Sequence, residues 1–235
     1  MRAAPTSGPN TMPVPADRTL AEDLLLLLFQ PGSGTIAGEG TLSYVLAGAV
    51  LAELGLGGHV RAGTGRMGST TVSAVRDRPP ADHLLRDSWD YVSDKPRGVQ
   101  TVLPATGPTL RGPLLDRLVE RGDLRRGTRR ALGLFSVRVL EEGATGRRPA
   151  LLTELRAVLV DGAAPTPRVA ALAALLHASG TLPQLHPHLP WTGPVIARAE
   201  ALKDGRWEAG AAAEAVSRSV MAYLVAVSAA ASPHA

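Results

Sequence analysis

Seven arginines stand in the span 111–130: Arg111, Arg117, Arg121, Arg125, Arg126, Arg129 and Arg130, against Asp116, Glu120 and Asp123. That excess equals the net charge of the whole chain, +4, so this stretch is a basic patch in an otherwise balanced sequence. A guanidinium is a planar fork of N–H donors that binds phosphate through two parallel hydrogen bonds. Arg125, Arg126, Arg129 and Arg130 follow the amphipathic stretch and have almost no acidic residues beside them in sequence. The chemistry that suits them is phosphate capture, on lipid headgroups or on nucleic acid. The ordinary alternative is a solvated helix face.

Other chemistry-bearing residues point less far. Cysteine is absent, which excludes disulfides, thiolate metal sites and a cysteine nucleophile. His186 and His188 flank Pro187 without an identifiable third ligand, and read as part of a proline-rich loop rather than a metal site. His177, beside Ser179 on an apolar helix face, reads as a satisfied core histidine rather than a catalytic base. Gly63, Gly65 and Gly68 match G-x-G-x-x-G, but the β-branched run TTV follows where a phosphate-holding helix would be required, so a hairpin loop is the better reading. Ser69 occupies the place of a P-loop lysine. No nucleophile elbow and no paired carboxylates are identifiable. The expectation is a protein that is not an enzyme and uses neither cofactor nor metal.

The elements that must position the patch follow from periodicity. The core is organised around Thr41–Val60, where Leu42, Leu46, Val50 and Leu54 recur every fourth residue and Val45, Ala49 and Ala52 widen the stripe. Gly55, Gly57 and Gly58 end that helix. Before it, Thr19 caps a leucine-rich helix with Glu22 and Asp23 in its first turn. After it come a strand pair (59–62 and 70–75), a helix from Pro80 through Trp89, with Trp89 and Tyr91 covering the core edge, and an amphipathic helix from Pro108 to Arg121 ended by Gly122. LGLFSVRVL (132–140) alternates with period two and forms one arm of a hairpin. Helices at 150–160, 166–178, 194–203 and 209–229 complete the chain. The fold class is therefore mainly α, a single globular multi-helix domain with a small β-hairpin component. Residues 1–18 read as a disordered tail and not a signal peptide, and residues 19–235 as the domain. The longest uncharged apolar run, Ser219–Ser232, falls short of the roughly 20 residues a spanning helix needs.

In order along the chain, LAEDLLLLLF (20–29), LAGAVLAELGLGGHV (46–60), LLDRLVERGDL (114–124), LFSVRV and RVAALAALLHASGTL (168–182) resemble the Golgi phosphoprotein 3 family, in its bacterial, actinomycete-type branch. Each piece is an unspecific leucine-rich segment; the ordered set carries the resemblance. It implies a mostly helical domain with a protruding β-hairpin used in self-association. It also implies peripheral membrane binding through phosphatidylinositol 4-phosphate and, in eukaryotic members, recognition of the cytosolic tails of Golgi glycosyltransferases. The family's headgroup pocket uses a tryptophan and three arginines, which fall near Gly38 and at Ala47, Pro108 and Arg111. Only Arg111 matches.

The expected function is docking on anionic phospholipid headgroups through Arg111, Arg117, Arg125, Arg126, Arg129 and Arg130. Phe135, Val137 and Val139 of the hairpin would supply homo-oligomer or membrane contacts. The expected place is the cytoplasm, peripherally on the cytoplasmic membrane face. Two alternatives are a winged-helix-like DNA binder using 108–140, and an adaptor for a protein partner without a lipid ligand. Asp116 and Glu120 beside the proposed recognition face, and the scarcity of Ser, Asn and Gln for reading bases, make nucleic acid the weaker partner.

Overall fold

Thr19 opens the first helix, α1 (Leu20–Leu28), through a reciprocal cap: its hydroxyl accepts from Glu22 N at 3.2 Å, and Glu22 Oε2 accepts from Thr19 N at 2.8 Å. The computed structural model describes residues 18–65, 69–131, 135–203 and 211–231; the side chains of Arg130 and Phe135 lie outside the described residues. All nine residues of α1 are buried, including both acids of its first turn. The leucines alone account for this burial, each contributing about 1.5–3 kcal/mol relative to exposure. The acids need cations brought to them. Asp23 accepts from Arg147 at 2.9 and 2.6 Å and from Arg168 at 3.2 and 2.8 Å, while Glu22 lies 3.1 Å from Arg121 and 3.7 Å from Arg117. Arg18, assigned to the tail by composition, forks the buried Asp123 carboxylate with two bonds of 2.9 Å.

The central helix, α2 (Leu42–Leu56), is where sequence periodicity places it. It packs against α1 and, from later in the chain, α4 (Val99–Thr106), α7 (Pro167–Ala178) and α9 (Ala211–Ala231). Its one charge, Glu53, pairs with Arg168 at 3.1 Å and accepts from Leu20 N. Burial pushes the Glu53 carboxyl above its ordinary value even so. Of the three glycines expected to stop α2, Gly58 takes the left-handed conformation (φ 67°) and acts as terminator.

Small antiparallel sheets decorate the helical body. β1 (Phe29–Gln30) pairs with β2 (Thr35–Ile36), and β3 (Val60–Thr64), β4 (Thr70–Ala74) and β5 (Arg97–Gly98) form a three-stranded sheet in that order. A strand follows Gly65, as the hairpin-loop reading requires; Gly68 lies outside the described residues. α3 (His83–Tyr91) begins three residues later than Pro80, because Asp82 is the residue whose carboxylate accepts from Leu84 N at 2.8 Å. Its Trp89 is nearly buried and donates from Nε1 to His59 O at 3.0 Å. α4 and the two-residue strands are not anticipated by periodicity: α4 spans eight residues with Pro104 inside, and strands so short carry no period.

A 3-10 turn (Gly107–Thr109) leads into α5 (Arg111–Glu120), so the helix expected from Pro108 starts as a tighter turn. Residues 124–131 then form strand β6 (Leu124–Ala131), paired with β7 (Phe135–Glu142). The arginines after α5 are therefore on a strand. α6 (Arg147–Leu159), α7, α8 (Gly193–Lys203) and α9 follow, close to the expected ranges. His177 of α7 sits 2.7 Å from Glu200 of α8 and is satisfied there. α9 contains one window, Glu214–Ala231, long and apolar enough by length and composition to cross a membrane, which counting only the uncharged run misses. In the fold that helix lies along α2, with Val216, Val220, Met221 and Leu224 buried.

Candidate anion-binding groove

The β6–β7 register decides which arginines share a surface. Arg126 faces Leu140 and Thr128 faces Arg138, so alternation puts Arg126, Thr128, Arg138 and Leu140 on one face of the hairpin. Arg125 opposite Glu141, and Arg129 opposite Val137, lie on the other. The hairpin is pinned to the β1–β2 turn at two points along its length: Leu140 N donates to Gly34 O at 3.3 Å and, farther from the base, Arg129 Nη1 donates to Gly32 O at 3.0 Å. Gly34 makes this approach possible. Its φ is 75°, and a Cβ there would lie 2.8 Å from Leu140 O.

Between this turn, α5 and the hairpin lies a groove of about 560 Å³. Arg111, Arg126 and Arg138 line it with Glu39, over apolar surface from Ile36, Leu115 and Leu140. Arg111 donates to Glu39 at 2.7 Å, both side chains about half exposed (47% and 53%). Arg126 donates to Asp116, again between exposed groups. Arg138 makes no ion pair among the described residues. On the opposite face Arg125 pairs with Glu141 at 2.8 Å.

This corrects the expectation that the arginines after α5 nearly lack acidic partners: Glu141 comes from across the ladder and Asp116 from the preceding helix, which sequence adjacency does not reveal. Arg117 is the larger departure. Its guanidinium, 13% exposed, donates to Asp82 at 2.6 and 3.0 Å and lies 3.7 Å from Glu22, so it is turned into the body. Burial pushes the Asp82 carboxyl up, but the hydrogen bonds and charge of Arg117 and the Leu84 and Leu85 N–H groups outweigh burial and hold it below the ordinary range. Arg121 likewise points to Glu22. Of the arginines expected to face an anion, the structure brings Arg111 and Arg126 together at the groove, keeps Arg125 and Arg129 exposed on the far hairpin face, and sequesters Arg117.

Arg138 is the residue that the basic-patch argument missed. Period two had already placed it on a strand, and the hairpin pairing of 124–131 with 135–142 was the missing signal. The four positions carried over by resemblance fare unevenly. A Cβ at Gly38 would lie 2.7 Å from Thr181 Cγ2, Ala47 is fully buried, and Pro108 has no donor, which leaves Arg111. Val137 is exposed (46%) on the hairpin, and Val139 lines the groove. His186 and His188 lie in the loop between α7 and α8, as read from sequence.

Compared with known families, residues 20–220 match the family model described as Golgi phosphoprotein 3 (GPP34). Among curated proteins, none matches the chain in sequence.

Proposed function

Since the chain belongs to the Golgi phosphoprotein 3 family, we propose that it is a non-enzymatic peripheral membrane protein whose groove takes an anionic, phosphoinositide-like lipid headgroup. The observation that supports this reading is the convergence of Arg111, Arg126 and Arg138 around one groove, where the carboxylates paired with Arg111 and Arg126 are themselves exposed. Exposed ion pairs are worth about 0–1 kcal/mol, so a phosphate displaces Glu39 and Asp116 at little loss and gains charge-assisted, bidentate bonds. Arg125 and Arg129 extend the basic surface along β6, each worth about 1 kcal/mol near an anionic bilayer. With Gly38, Ala47 and Pro108 contributing no cation, selectivity rests on the three groove arginines. The protein acts at the cytoplasmic face of a membrane, and its hairpin, through Val137, mediates self-association. α5 supplies no continuous basic face for a DNA groove, because Arg117 and Arg121 point inward.

Flotation of the full chain with vesicles containing phosphatidylinositol 4-phosphate, against phosphatidylserine at matched charge, tests this. Binding should weaken as salt rises, and the double variant Arg111→Glu, Arg126→Glu should lower it at least about tenfold, reversal of two contributing charges being worth more than 1.4 kcal/mol. Undiminished binding by the double variant would remove the groove from the reading. Preference for the phosphoinositide would show that three arginines suffice for headgroup selectivity.

A further inference from the structure

A second cavity, of about 470 Å³, touches the same β1–β2 turn at Pro31 and the end of β7 at Glu142. Its distinctive member is Arg148, in the first turn of α6 and 6% exposed. Arg148 Nε is buried and has no hydrogen-bond partner among the described residues. The nearest anion, Glu142 Oε2, lies 4.0 Å from Nη1, the outer edge of an ion pair. Burial lowers the Arg148 pKa, and Glu142 offsets this only in part. The position is also unfavourable for a cation, because the first turn of a helix carries partial positive charge. Arg147 beside it is compensated by two bonds to Asp23. Arg148 is not.

The rest of the cavity suits an anion with an organic part. Arg148, Leu152 and Arg156 are spaced four apart, so they share one face of α6, and all three line the cavity. Arg156 donates to His188 O at 3.3 Å, which holds the α7–α8 loop against the cavity and brings His188 to its wall. Pro149 and Leu152 supply apolar surface. We infer that this cavity is a second anion site, distinct from the groove, which takes a phosphate monoester between Arg148 and Arg156, carried either by a lipid headgroup or by a small soluble molecule. An arginine buried with an unused donor, in the part of a helix least hospitable to a cation, is a stability sacrifice that a bound anion removes.

The experiment uses the full chain and two probes. Glycerol 3-phosphate is titrated by calorimetry, and vesicles of phosphatidylcholine with phosphatidic acid are compared with vesicles carrying phosphatidylserine at equal charge. Saturable binding of glycerol 3-phosphate is expected, weakened about ten- to a hundredfold in Arg148→Met and Arg156→Glu, and unchanged in Arg111→Glu, Arg126→Glu. That last variant separates this site from the groove. Preference of the wild type for phosphatidic acid, lost in Arg148→Met, assigns the phosphate to a lipid; soluble binding without that preference assigns it to a small molecule. Without anion, Arg148→Met should melt at or above the wild-type temperature, since an apolar side chain replaces an under-compensated charge. A lower melting temperature would mark Arg148 as structural and overturn the proposal. So would the absence of saturable phosphate binding in both probes, or equal affinity in wild type and in the exposed-site variant Arg156→Glu.

Discussion

Asp82 shows how one side chain ties two elements together. It caps α3 through Leu84 N at 2.8 Å and holds Arg117 of α5 through bonds of 2.6 and 3.0 Å. Its folded-state pKa is depressed, so its contribution to stability is fully present above the unfolded value, near 3.9, and is lost as pH falls through the lower folded value. Asp82→Asn keeps a capping oxygen and removes the charge. We expect the variant to be less stable than wild type by about 1–3 kcal/mol at pH 7, with the gap narrowing as pH falls below about 4, as read by urea unfolding at the two pH values. A gap that stays constant with pH would mean that the charge on Asp82 is not what the substitution removes from stability. Sequence showed Arg117 as one more member of a basic run. It could not show that Asp82, 35 residues earlier, would claim it.

At the scale of elements, the groove exists because a turn, a helix and a hairpin are locked together at Gly34. Any side chain there meets both a left-handed φ of 75° and Leu140 O at 2.8 Å. Gly34→Ala is therefore expected to destabilise the chain by about 1–3 kcal/mol and to weaken vesicle flotation without touching an arginine. Thermal unfolding and flotation measured on the same preparation check both halves. Unaltered flotation in a destabilised variant would show that the turn supports the fold without shaping the groove. The helices were legible in sequence because their leucines repeat over many turns, and α1 and α2 follow their pattern almost to the residue. α4 and β5 were not, because eight residues around Pro104 and a two-residue strand carry too little periodicity to register.

At the scale of the molecule, charge and shape separate. The buried acids Glu22, Asp23 and Asp123 draw Arg18, Arg117, Arg121, Arg147 and Arg168 inward, so these five arginines serve the packing around α1. Of the exposed arginines among the described residues, Arg111, Arg125, Arg126, Arg129 and Arg138 gather at the groove and the hairpin, while Arg61, Arg76, Arg78, Arg156 and Arg218 are scattered elsewhere. Val137, exposed on that hairpin, is the side chain we expect to meet a second copy. Val137→Asp should shift sedimentation or gel filtration toward smaller species at matched concentration while leaving the melting of the dilute protein within about 0.5 kcal/mol, as for an ordinary surface change. An unchanged size distribution would remove Val137 from the self-association reading.

The sequence alone determined the mainly helical class, the central helix, the hairpin arm, the family and the existence of a local positive excess, because periodicity, composition and motif order are local properties of the chain. Tertiary structure decided which arginines face solvent. Ion pairing is set by distances between residues far apart in sequence: Arg117 finds Asp82, Arg147 and Arg168 find Asp23, and Arg138 reaches the groove only through the register of β6 with β7. The under-compensated Arg148 was equally invisible, since a missing partner is a fact about the space around a guanidinium and leaves no mark in the order of residues.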